Sequence, residues 1–186
     1  MNTLNLARIN EQSPYEVWQT SEGDFNFQTD FNVLYRISFR DEQTIWEDGA
    51  YEFSIINQNH KSSPNDMKVR DTIFLIIEEF FASNPNILLY QCETGDNRQA
   101  MRDRLFLRWF KNYEHNDRFY IKVSTIVAEK VKNYAAMIVA KKDGSLAANK
   151  RTVPPLSFLT TGHSAMPLAT EGMQRLSPLC GMRTAA

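Results

Sequence analysis

The sequence predicts an α+β fold: a mostly antiparallel sheet with two helices packed on one face, in the order β-β-β-β-α-β-α-β-β. Three observations carry this. Apolar residues alternate at period two through the first sixty residues, most clearly at Val33, Tyr35, Ile37 and Phe39. Two later stretches instead place apolar residues at helical spacing. Short apolar runs bounded by turn residues stand between and after them.

In order, Tyr15 and Val17, then Phe25 and Phe27, then the Val33–Phe39 run, then Tyr51, Phe53 and Ile55 each keep one face apolar. Period-two alternation buries one side of a strand and wets the other, which suits antiparallel pairing. Gly23-Asp24, Asp30 and Asp48-Gly49 fall where turns belong. Ser63-Pro64-Asn65-Asp66 then offers a serine cap, a proline at the first helical position and an acid two residues on. At about 100° per residue, Val69, Ile73, Ile76, Ile77, Phe80 and Phe81 gather on one arc, with Lys68, Asp71, Glu78 and Glu79 opposite as a solvated face. Ser83-Asn84-Pro85 stops this helix. Ile87 to Tyr90 reads as a strand buried on both faces. A second helix follows Gly95-Asp96, with Asp96 and Gln99 as a capping box, and runs to about Tyr113. Its apolar arc is Met101, Leu105, Phe106, Trp109, Phe110 and Tyr113. Phe119, Ile121 and Val123 predict a strand, and Tyr134 to Ala140 the last.

The expected organisation is an N-terminal arm over 1–13, one domain over 14–144, and a tail over 145–186. That tail holds one aromatic, Phe158, four of the chain's seven prolines, four basic residues and the single acid Glu171. Without a helical or strand period it reads as disordered or foreign to the domain. The whole chain carries a net charge of −1, so no overall field draws nucleic acid or anionic membrane. Two cysteines, Cys92 and Cys180, make no disulfide scaffold. With no apolar leader core and no membrane-length apolar run, the expected location is the cytoplasm.

Three arginines stand out. With Arg98 set at 0° on the second helix, Leu105, Trp109, Arg102 and Phe106 project at about −20°, 20°, 40° and 80°, so Arg98 and Arg102 share the apolar face. Arg70 is likewise flanked by Ile77 and Phe81 on the first helix. Guanidinium groups there need carboxylates, backbone carbonyls or a bound anion. One reading pairs them internally with Asp96, Asp71, Asp103 or an acid from the strands. The other makes Arg70, Asp96, Arg98 and Arg102 a pocket for a phosphate or carboxylate at the strand-to-helix turn.

Arg104, Arg108 and Lys111 lie on the wet side of the same helix, with Lys122, Lys130, Lys132, Lys141 and Lys142 beyond; they are the candidate nucleic-acid face. Cys92 and Arg98 have the spacing of cysteine-dependent phosphatases, but Glu93 and Asp96 would repel a phosphate and raise the thiol pKa. His60, His115 and His163 are scattered without metal-ligand spacing, His115 reading as a loop residue, and no nucleotide or hydrolase motif is present. No metal and no cofactor is expected.

Arg70-Asp71-Thr72-Ile73 to Glu79-Phe80-Phe81, Tyr90-Gln91-Cys92, Asp96-Asn97-Arg98-Gln99, Arg102, Arg104-Leu105-Phe106 and Trp109-Phe110 together resemble an uncharacterised bacterial family of small α+β proteins over about residues 14–143. The resemblance implies no activity. The reading is a binding or interaction module rather than an enzyme, acting on a partner protein or small anionic ligand near Arg98. Nucleic-acid association is the alternative, and a sheet edge offers a route to homo-oligomers.

Overall fold

Val33 to Phe39 alternates as a strand must, and a computed structural model of the chain extends that run into β3 (Leu34–Glu42). The structure describes residues 1–42, 49–61, 65–84, 87–91, 99–128 and 131–141. Before β3 come β1 (Val17–Gln19) and β2 (Phe25–Gln28), and after it β4 (Ala50–Asn57). These four form an antiparallel meander, with Phe25 opposite Ile37 and Phe39 opposite Phe53. Gly23 takes the turn before β2 at φ +87°, a conformation that L side chains resist.

The chain then crosses through α2 (Met67–Ser83) to β5 (Ile87–Gln91) and through α3 (Gln99–Lys111) and a short 3₁₀ turn (Asn116–Arg118) to β6 (Phe119–Ala128) and β7 (Val131–Ala140). Strand order is β1-β2-β3-β4-β5-β7-β6. Among the described strands β4 and β5 alone run parallel, and a parallel pair cannot be closed by a tight hairpin, which is why a helix joins them. The fold is α+β with a mostly antiparallel seven-stranded sheet.

One face of the sheet builds the core. Phe39 and Tyr51 pack on Phe80 of α2; Phe53 and Tyr90 pack on Phe106 of α3. Phe74 of α2 is fully buried and lies 4.6 Å from the Tyr113 ring and 5.9 Å from Phe106. All six residues of the expected α2 arc are buried, and Thr72 and Phe74 are as well. Burial is wider than one stripe because α2 has neighbours on both flanks. On the other face, Asp24 is buried and contacts Arg40 at 2.7 Å and Arg36 at 3.8 Å.

Four expectations are corrected. The N-cap of α2 is Asp66, whose carboxylate accepts the Lys68 N–H and the Tyr15 hydroxyl; Ser63 and Pro64 lie outside the described residues. The aspartate wins because an ionised acceptor binds the end of a helix more strongly than a hydroxyl. In β5 Leu88 and Tyr90 are buried, while Ile87 and Leu89 are half-buried, because the helices cover one face. Met101 is 44% exposed, as α3 meets the sheet along Leu105, Phe106 and Trp109.

The fourth concerns the N-terminal arm, which contains a helix, α1 (Leu6–Gln12), capped by the Asn5 side chain on the Arg8 N–H. Seven residues with one buried side chain, Ile9, give no readable period. Tertiary bonds hold it instead. Asn2 donates its backbone N–H to Asn84 at the end of α2, and Asn5 donates its own to Glu79. Among the described residues no helix is long and apolar enough to cross a membrane. The 145–186 tail lies outside the described residues.

Candidate functional site

Arg70 is occupied internally. Its Nε and Nη2 reach Asp71 at 2.7 Å, and its Nη1 donates to the Asn112 carbonyl at 2.9 Å. Arg102 is buried, 5% exposed, and is engaged rather than free. The two do not meet: Arg70 is fastened just past the C-terminal end of α3, some ten residues from Arg102, or about 15 Å of helix. Asp96, Arg98, Cys92 and the Asp96–Gln99 capping box involve positions outside the described residues. Asp103, beside Arg102, is buried, and burial pushes its carboxyl upward against the opposing pull of Arg104. Arg104, Arg108 and Lys111 are all exposed on the outer side of α3, as their spacing predicts.

A different place gathers chemistry. A cleft of about 570 Å³ opens between α1, α2 and the start of β6. Its apolar wall includes Ile9, Leu75, Phe81, Ala82 and Phe119. Its floor carries two carboxylates from adjacent positions of α2. Glu78 Oε1 lies 2.7 Å from His115 Nδ1, and Glu78 Oε2 lies 3.6 Å from Arg118. Glu79 accepts the Asn5 N–H at 3.2 Å and faces Arg8 at 3.5 Å. Arg8 and Arg118 stand on the rim, both exposed; Lys141 also borders the cleft, but its ammonium lies 4.7 Å from the Tyr120 ring.

The expectation that Glu78 and Glu79 form a solvated pair is therefore wrong. The Glu79 side chain is 7% exposed and that of Glu78 18%. A helical wheel treats the face opposite the core as wet, but here α1 covers Glu79 and the loop after α3 folds back over Glu78. His115 does lie in a loop, and it is also Glu78's partner across 37 residues of sequence. The nearest sequence signal was Glu-Glu beside an apolar arc with a histidine just after the next helix, a pattern too common to single out a site.

Electrostatically, the carboxylates are committed at depth and the cations are only partly used. Each rim arginine reaches one carboxylate at 3.5 Å or more, leaving most of its five N–H donors to solvent. Arg8 and Arg118 thus stand over Glu78 and Glu79, while Lys141 holds its ammonium over the Tyr120 ring. Tyr113, buried beneath it, has its hydroxyl pushed well above the ordinary tyrosine range, first by burial and then by the charge of Glu78. Among the described residues no group of three His, Cys, Asp or Glu side chains could hold a metal.

Glu78, Glu79, His115, Arg118 and Lys141 fall within one stretch that runs from α2 to the end of the sheet. Residues 65–149 match a family model described as "Family of unknown function (DUF6169)". The expected resemblance to an uncharacterised family is thus met from α2 onward, while β1 to β4 and α1 precede the matched stretch. No curated protein and no solved structure matches the chain. Within the matched stretch lie the cleft's floor and most of its charge; Arg8 and Ile9 are supplied from before it.

Proposed function

We propose that the chain is a small binding module whose cleft between α1, α2 and β6 takes a small organic anion, a carboxylate or phosphate carrying an apolar body. The observation that supports this is the separation of roles in the cleft: carboxylates satisfied at the floor, apolar side chains on the wall, and the guanidinium donors of Arg8 and Arg118 left at the rim. A volume near 570 Å³ suits a ligand of modest size. A charged head would meet Arg8 and Arg118, and its apolar part would pack against Phe81 and Phe119.

Thermal melts of the full chain with hexanoate and with inorganic phosphate test this. Ligand at a hundred times its Kd stabilises the fold by about 2.7 kcal/mol, a rise of several degrees. Arg118→Ala should weaken binding roughly tenfold, the worth of one charge-assisted hydrogen bond. No rise with either probe, or a rise indifferent to Arg118→Ala, contradicts the reading. Stabilisation by hexanoate alone would give the apolar wall a part in recognition.

A second reading, nucleic-acid contact, is favoured by the shared exposure of Arg104, Arg108 and Lys111 on α3. Binding of that kind would weaken steeply with salt and be lost in an Arg104→Ala, Arg108→Ala double variant.

A further inference from the structure

The two ends of the sheet are unequal. β1 closes one end with three residues, whereas β6 closes the other with ten. β6 pairs with β7 along its full length in one unbroken register, from Phe119 opposite Ala140 to Ala128 opposite Val131. Its other side has no strand against it among the described residues. The usual protections of a sheet edge are sparse: the strand has no proline, no bulge interrupts the register, and Lys122 is its one charged residue.

The burial along β6 points the same way. On the helix-covered face Phe119 is 5% exposed, Ile121 is half-buried, and Val123 is 38% exposed. The core thins toward the middle of the strand and ends on an apolar residue in water. On the opposite face Tyr120 is 55% exposed.

We infer that β6 pairs antiparallel with β6 of a second copy of this chain, about a two-fold axis at Val123, joining two seven-stranded sheets into one. A two-fold perpendicular to the sheet keeps both helical layers on the same side, and directly opposed residues then share a face. Centring on Val123 sets position 119 against 127, 120 against 126, 121 against 125 and 122 against 124. Val123 meets its own copy and completes the helix-side core, Tyr120 faces the position of Ile126, and Lys122 faces Ser124. No like charges are opposed; centring one residue earlier would set Lys122 against itself, at a cost in stability. The surface meets the anion cleft only at Phe119, and the pairing does not depend on the cleft being occupied.

Sedimentation of the full chain at 10–200 µM, with three variants, is the test. The wild type and the cleft variant Arg118→Ala should both run at twice the 21.6 kDa chain mass. Val123→Lys, at a site exposed enough to tolerate it, should run as the monomer with an unchanged circular dichroism spectrum. Val123→Cys, placed in a background with Cys92→Ser and Cys180→Ser, should give a disulfide-linked dimer on oxidation. Opposed Cα atoms in an antiparallel pair lie about 4.5–5.5 Å apart, within disulfide reach. A wild type monomeric at 200 µM overturns the inference. So does a dimer that survives Val123→Lys and fails to cross-link through Val123→Cys.

Discussion

Removing the Glu79 carboxylate separates a latch from a solvated surface charge, and its cost can be worked from the two contacts it makes. The first is the Asn5 N–H at 3.2 Å, which joins the N-cap residue of α1 to α2. A hydrogen bond to an ionised acceptor is worth about 1.5–3 kcal/mol, and Glu79→Ala leaves this part-buried donor with nothing in its place. The second is Arg8 at 3.5 Å; its side chain is 65% exposed, so solvent screening holds that pair to a few tenths of a kcal/mol. The sum is about 2 kcal/mol for Glu79→Ala. Glu79→Gln keeps an acceptor for Asn5 and loses only charge, for about 0.5–1 kcal/mol. Urea titrations fitted by linear extrapolation measure both, and amide exchange over Leu6–Gln12 shows whether α1 opens first. Equal costs for the two variants, or an Ala variant within ~0.5 kcal/mol of wild type as expected for a surface site, would refute the latch.

Phe74, fully buried among Phe106, Phe110 and Tyr113, should cost about 4 kcal/mol on truncation to Ala, by urea titration. Asp24→Ala should cost about 2–3 kcal/mol, because it leaves Arg40 and Arg36 without the buried carboxylate between them, less their own partial exposure; thermal melts read the loss. Tyr113 contributes to an alkaline limb alongside Tyr15 and Tyr51, whose hydroxyls burial also pushes up. Its hydroxyl pKa is raised on folding above the ordinary 10.0, so its contribution is fully present below pH 10 and is lost as pH rises beyond it. Urea midpoints at pH 9 to 11 should fall for the wild type, and Tyr113→Phe should fall less steeply.

The sheet was legible because its strands obey one rule over many residues: Val33, Tyr35, Ile37 and Phe39 are all buried, and so are Tyr51 and Phe53, with Ile55 half-buried on the same face. The α2 arc was legible for the same reason at period 3.6. What the sequence hid were features made by contact between distant segments. α1 has one buried residue and is held by Asn84 and Glu79, more than seventy positions away. The wheel placed Arg102 on the buried side correctly. It could not show that Arg70 would be taken by its neighbour Asp71 and by the end of α3. Glu78 and His115 looked like solvent-facing residues because their pairing depends on where the loop after α3 returns.

The most direct test of the cleft as an anion site is a ¹⁵N–¹H correlation spectrum of the full chain titrated with hexanoate, repeated with Arg118→Ala. Anion binding in the cleft gives saturable shifts at the amides of Ile9, Ala82, Phe119 and Lys141, which surround the cleft, and their loss in the variant. Shifts confined to the Arg104–Lys111 side of α3, or no shifts at all, would contradict it.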